Sequence, residues 1–204
     1  MKNKILAIAL CSGLFFTSCD NFLTELPETV VSKESFYKTE SDFEQANIGI
    51  YELLRGVYGV GAANYGAWMM GEMRSDNTTF QFNIENRGYS DREYVATFMD
   101  DANGGAISTK YNNLYYIIQR ANQVIQFIET ADISETAYKN YKGQALFMRA
   151  FAYFDLVQYF GDVCLVTVAP TTYEQTMVPR DSKDKVYEQI IKDATEAAAL
   201  LPAV

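Results

Sequence analysis

Histidine is absent from these 204 residues. Its absence removes the imidazole base of nucleophilic triads and rules out His-ligated zinc, leaving paired carboxylates as the main catalytic chemistry still open. Nothing in the sequence sets such a pair, so no catalytic residue, metal ligand or cofactor is assigned. Cysteine is scarce, at Cys11, Cys19 and Cys164. If the first leaves with a leader and the second is lipidated, Cys164 stands alone and an intrachain disulfide is excluded. Positive charge is also short, with 17 Lys and Arg against 26 Asp and Glu and a net charge of −9. Removal of Lys2 and Lys4 with a leader takes −9 to −11. No basic cluster appears anywhere, and nucleic acid is excluded as a partner.

What the chain does have is rings. Aromatics make up 14% of the residues, with 15 Tyr, 13 Phe and a single Trp. Flat amphipathic rings suit carbohydrate or peptide binding, but ring-rich helix packing accounts for most of them. At 49% hydrophobic, the chain can bury a real core, as one domain or as part of a larger one.

Met1 to Cys19 reads as a leader: Lys2 and Lys4 form a positive n-region, Ile5 to Phe16 an apolar h-region, and Thr17-Ser18 precede Cys19. The apolar run is short for a bilayer span, which needs about 20 residues. Residues 1–18 are therefore expected to be a lipoprotein-type signal peptide. Cys19 would carry a thioether-linked diacylglycerol and an amide-linked acyl chain such as palmitate, anchoring the protein stably without spanning the membrane. Residues 19–34 would form the lipidated tether.

The stretch around which everything else packs is Gln144 to Val166. Between Ala145 and Phe160 only Arg149, Asp155 and Gln158 are strongly polar, so this helix is apolar nearly all round and must lie inside a helical assembly. It is expected to begin near Asp132, with Glu135 three residues later, and to stop at Gly161. Arg149 and Asp155, six apart, do not face one another, so each needs a partner from elsewhere in the fold. Before it, Ile107, Tyr111, Leu114, Ile118, Ala121, Ile125 and Ile128 step by four and three, predicting a helix from Ile107 to Glu129 that pairs with the central one as a helical hairpin. Asn122 beside this stripe reads as a satisfied structural hydrogen-bonder. An earlier helix is predicted from Ser41 to Arg55, capped by Ser41 with Glu44, and a later one after Asp181 or Ser182 with Val186, Ile190, Ala194, Ala197 and Leu201 inward. Asn64 to Asp76 can form a short helix in which Trp68 packs in the core. Val163 to Val168 reads as a strand, and residues 77–105 as a long loop.

The order Gln144-Ala145-Leu146-Phe147-Met148-Arg149-Ala150-Phe151-Ala152-Tyr153-Phe154-Asp155-Leu156, closed by Phe160-Gly161-Asp162-Val163, resembles the signature helix of the SusD/RagB family, surface nutrient-binding lipoproteins of Bacteroidota. Gln144 stands where that family usually has Glu, Cys164 where it has Pro, and Tyr111 where it has Trp. Residues 36–46, 72–76, 110–125 and 180–202 are similar to further family phrases. The resemblance implies an all-α, tetratricopeptide-like fold of helical hairpins with irregular loops over residues 35–204, corresponding to the N-terminal part of the longer family proteins; a truncated chain, a fragment and a minimal form all stay open. It also implies an outer-membrane, surface-exposed location and a non-enzymatic role: capturing oligosaccharides for a SusC-like TonB-dependent transporter.

In starch-binding relatives an aromatic pair separated by one residue follows the acidic phrase. Counting from Asp76 places it at Phe80 and Phe82. An extended Thr79 to Asn83 would put both rings on one side, and Asn83 and Asn86 could hydrogen-bond hydroxyls from the same loop. The competing reading of this segment is a half-buried hairpin strand. Peptide binding of the RagB kind, a helical scaffold that binds only its protein partner, and a glycosidase with carboxylates about 5 to 9 Å apart remain alternatives.

Overall fold

The computed structural model describes residues 33–59, 67–81, 83–88 and 90–202; the leader, Cys19 and most of the tether lie outside the described residues. The chain divides into two compact units, Met1–Phe36 and Tyr37–Val204. In the first, the described residues form the short helix α1 (Lys33–Phe36).

The second unit begins with α2 (Glu40–Glu52), which passes at Leu53 into α3 (Leu54–Tyr58). Its cap is Thr39 rather than Ser41. The Thr39 hydroxyl accepts from the Asp42 amide, and the Asp42 carboxylate accepts from the Thr39 amide at 2.7 Å. That register turns Phe43, Asn47 and Ile50 inward. After α4 (Ala67–Gly71) and a 3-10 turn (Glu72–Arg74) comes a helix inside the expected loop, α5 (Ser90–Ala96). Two long helices follow, α6 (Gly105–Ile128) and α7 (Glu135–Phe160), then α8 (Lys183–Leu200). Side-chain pairs fix how these three lie. Lys110 meets Asp155, Asn122 meets Arg149 and Tyr138 meets Glu129, so α6 and α7 run antiparallel. Arg149 with Asp193 and Lys142 with Glu196 make α7 and α8 antiparallel as well. The fold is all-α, two successive helical hairpins sharing α7, in the tetratricopeptide-like manner.

Helix α7 starts from Ser134, whose hydroxyl accepts the Ala137 amide, two residues later than the Asp132 start. It stops at Gly161, whose φ of 66° is costly for any residue with a Cβ. Near its start Gly143 touches the end of α8: a Cβ there would lie 2.8 Å from Leu201. The core runs along α7 through Ala145, Met148, Ala152, Tyr153 and Leu156, against Leu114, Ile118 and Ala121 of α6, Phe43 and Ile50 of α2 and Val186 of α8. Contrary to the all-round burial expected of α7, Phe147 and Phe154 are exposed. They lie seven residues apart, on one side of the helix.

Arg149 and Asp155, the two charges in the apolar part of α7, find partners on neighbouring elements. The Arg149 Nε and Nη2 donate to the two oxygens of Asp193 on α8, each at 2.7 Å, while Nη1 donates to Asn122 Oδ1 at 2.8 Å and to the Thr167 carbonyl at 2.9 Å. Asp193, not its neighbour Ala194, is therefore the inward residue; Ala194 is exposed. Asp155 accepts from Lys110 at 2.7 Å and from the Tyr58 hydroxyl at 2.9 Å. The Lys110 ammonium also sits 4.1 Å from the Tyr159 ring centroid.

The expected strand at 163–168 shrinks to β1 (Val163–Cys164), paired antiparallel with β2 (Arg180–Asp181). Beyond it, side chains take the backbone groups that a partner strand would need. Tyr153 accepts the Val166 amide and donates to the Val166 carbonyl, Asn122 donates to that same carbonyl, and Tyr115 donates to the carbonyl of Cys164. Cys164 is a free thiol that donates to the Val178 carbonyl.

Removing one member of a buried pair leaves the other charge uncompensated. Asp193→Ala should therefore cost about 3–5 kcal/mol in guanidinium unfolding, and Asp193→Ala/Arg149→Leu should recover part of it. A more modest effect follows from the α2 cap. Hydrogen bonds from Thr39 hold the Asp42 carboxyl below its ordinary value of 3.8. A lowered carboxyl stabilises the fold in full above the unfolded value and loses that contribution as pH falls through the folded one. The melting-temperature gap between the parent protein and Asp42→Asn should be present at neutral pH and close well below pH 3.8.

Candidate functional site

Of the residues singled out by the sequence, Phe80 leans on a second, smaller hydrophobic cluster at the N-terminal end of α6. Met69, Met70 and Met73 pack there with Val95 of α5 and Ala106 of α6, and Phe80, Ala96 and Ile107 lean on them. Three unbranched methionines fill irregular space and tolerate shifts of what lies above. Loops, α5 and the bend into α6 are carried on this base.

Phe80 is half-buried against the cluster, and Phe82 lies outside the described residues. Asn83 and Asn86 are brought together. They form an isolated antiparallel bridge in a tight turn: the Asn86 amide donates to the Asn83 carbonyl at 3.1 Å, and the Asn83 side-chain oxygen accepts the Glu85 amide at 2.9 Å. That side chain keeps its NH2 group for an outside acceptor, and Asn86 is exposed beside it. Ile84, at the tip of the turn, is 87% exposed. Arg87 anchors the loop to α5 by donating from Nε and Nη2 to Glu93, at 3.0 and 2.8 Å.

Trp68 does not enter the core. Met69, Met70 and Met73 take the inner side of this short segment, and Trp68, on the other side, remains 45% exposed. The acidic phrase of residues 72–76 follows directly on this short helix. Arg74 pairs with Asp100 from the bend before α6 rather than with Glu72 or Asp76. The Glu72 carbonyl accepts the Ser75 and Thr78 hydroxyls, which turns the chain toward the loop.

The end of α5 holds the most unusual backbone in the lobe. The Met99 amide donates to the Tyr94 carbonyl at 2.9 Å and the Phe98 amide to the Val95 carbonyl at 3.4 Å, the bond pattern of a helix that ends on a left-handed residue. Glycine usually fills that position. Here it is Phe98, at φ 57°. A left-handed backbone costs a residue with a Cβ roughly 1–2 kcal/mol. The Arg74 guanidinium lies over the Phe98 ring, 5.8 Å from its centroid, a contact worth about 0.5–1 kcal/mol at an exposed site. Glycine would remove the strain and lose about 0.5–1 kcal/mol of backbone entropy. The terms nearly cancel, so stability does not decide between phenylalanine and glycine. Beside this corner, between α5 and the start of α6, opens a cleft of about 190 Å³ lined by Tyr94, Met99, Asp91, Asp101 and Asn103 among others.

Among the described residues no group of three or more Cys, Asp or Glu side chains is placed to hold a metal ion, and no helix is long and apolar enough to cross a membrane. What the lobe offers is rings, amides and carboxylates on a soft apolar base.

A family model described as starch-binding, associating with the outer membrane, matches residues 22–204. The chain belongs to this SusD-like family. SusD-like protein P25 of Formosa agariphila is 29% identical over 212 residues, which take in 100% of this chain and 38% of that protein. This SusD-like chain thus spans little more than a third of that relative's length. Among solved structures, a SusD superfamily protein from Bacteroides vulgatus aligns at a TM-score of 0.72 with 26% identity, over 83% of this chain and 36% of the other. A SusD-like carbohydrate binding protein from Bacteroides fragilis aligns at a TM-score of 0.64 with 25% identity, over 82% and 33%.

The exposure of Trp68 has a direct optical consequence. As the sole tryptophan, it should emit at long wavelength in the native protein and be quenched efficiently by acrylamide. A short-wavelength, poorly quenched emission would place it in the core instead.

Proposed function

We propose that this SusD-like chain is a non-catalytic carbohydrate-binding segment whose ligand-facing side is the methionine-based lobe. The observation that carries this reading is the family match over residues 22–204, joined to a lobe whose described residues present rings and amides. The carbohydrate binding named for the Bacteroides fragilis relative points the same way. In this reading Phe80 and Phe82 supply apolar ring surface, and Asn83 and Asn86 exchange hydrogen bonds with sugar hydroxyls, the division of labour usual in binding sites. The turn that fixes Asn83 against Asn86 sets the spacing of those amides before ligand arrives, which lowers the ordering cost of binding. Residues 1–18 act as a signal peptide, acylated Cys19 tethers the protein to the outer membrane at the cell surface, and the captured oligosaccharide passes to a SusC-like TonB-dependent transporter.

The test is direct binding of the purified protein to soluble starch and to laminarin by titration calorimetry. Because Phe80 also packs on Met69 and its neighbours, the informative variants are Phe82→Ala and Asn83→Ala/Asn86→Ala. Each should weaken binding about tenfold, equivalent to ~1.4 kcal/mol, with melting temperature unchanged. Binding of peptides in place of both polysaccharides would transfer the role to peptide capture, and unaltered affinity in the variants would move the site elsewhere.

A further inference from the structure

We propose that the Phe98 corner, with the adjoining cleft between α5 and α6, is a second sugar-contacting position on the lobe, one that takes the apolar face of a neutral pyranose ring. This deepens the carbohydrate-binding reading and rests on it.

Three independent features meet here. The first is conformational: among the described residues Phe98 is the non-glycine residue with a positive φ, at 57°. Backbone strain of this kind clusters at ligand clamps and other functional sites, and at this corner strain, stacking and entropy roughly offset, so stability does not account for the choice of side chain. The second is presentation. Phe98 is 67% exposed while Arg74, itself held by Asp100, lies over its ring. An aromatic ring backed by a fixed cation keeps its orientation and offers its open face to solvent, which a freely rotating surface phenylalanine does not. The third is the cleft next to it. Tyr94 and Met99 give it apolar surface, while Asp101 and Asn103 bring polar groups. A pyranose has one chemistry to match each: C–H groups on its face for the ring, and hydroxyls on its rim for carboxylate and amide. Nucleotides and other anionic ligands fit poorly, because Asp91 and Asp101 also line the cleft.

Phe98 and the loop carrying Asn83 stand on one base. Val95, three residues before Phe98, and Phe80 both pack on the Met69, Met70 and Met73 cluster. Two contact points on one lobe suit an oligosaccharide better than a monosaccharide.

The experiment compares the parent protein with Phe98→Gly, Phe98→Tyr and Phe82→Ala, each titrated with soluble starch and with laminarin and each melted by circular dichroism. Phe98→Gly should melt within a few degrees of the parent yet bind the saccharide roughly three- to tenfold more weakly, and Phe98→Tyr should restore the affinity. If the parent and Phe82→Ala differ in binding while Phe98→Gly matches the parent, the second contact is overturned and the carbohydrate-binding reading stands. If Phe98→Gly melts far below the parent, the ring serves the fold and the proposal fails. If the parent binds neither polysaccharide, both readings fall together.

Discussion

The guanidinium of Arg149 is where the three long helices are tied to one another and to the chain that leaves them. It lies within the buried part of α7, takes both oxygens of Asp193 from α8, the amide oxygen of Asn122 from α6 and the carbonyl of Thr167. A planar cation with donors in fixed directions can satisfy several partners only if all of them stand at one mutual arrangement. The pair therefore acts less as a source of net stability, which buried ion pairs supply poorly, than as a statement of register. A turn's shift of α8 along α7 would leave the buried carboxylate and guanidinium without each other. Gly143 adds a steric condition at the other end, since only a residue without Cβ lets Leu201 approach so closely.

A consequence of that register appears in the segment after α7. A β-branched run such as Val163 to Val168 ordinarily seeks a partner strand, yet here the pairing stops at Cys164. Tyr153, Asn122, Tyr115 and Arg149 reach from α6 and α7 and occupy backbone groups of residues 164 to 167. Buried backbone polar groups must be paired, and once side chains have paired them, a longer ladder gains nothing.

Most of this helical frame was legible in the sequence because long helices advertise themselves. The four-three stepping from Ile107 to Ile128 is sustained enough to exclude a strand, and the structure departs from it by two residues at the start and one at the end. Partners for Arg149 and Asp155 could be demanded from burial alone, though not named, since nothing local says which helix supplies Asp193 or Lys110. Caps were harder. Thr39-Glu40-Ser41-Asp42-Phe43-Glu44 holds two overlapping pairs of the right spacing, and only the tertiary demand that Phe43, Asn47 and Ile50 face inward selects Thr39. Ser134 displaced Asp132 at α7 for want of the same tertiary information. Helix α5 went unread because it has seven residues and one buried apolar side chain, Val95, too few for a period to show. Trp68 was misplaced for a related reason: in so short a helix three methionines already fill the inner side.

The same contrast sets the Arg149 hub apart from the lobe that our proposal assigns to binding. Each nitrogen of the Arg149 guanidinium already has an acceptor, and a ligand inserted there would have to break more than it makes. The lobe is built on the opposite principle. Its base is three methionines, whose flexible side chains accommodate displacement, and its elements are α4, α5 and turns of a few residues closed by local bonds from Ser75, Asn83 and Asp101. Such regions lie at the low-stability end of a protein, from which binding loops are drawn. Because α6 is held by Asn122 at the Arg149 hub and by Lys110 on Asp155, its first turns can carry this lobe on a fixed frame. The rigid hub and the adaptable surface are then two consequences of one long helix, tied firmly at Asn122 and loaded lightly at Ala106.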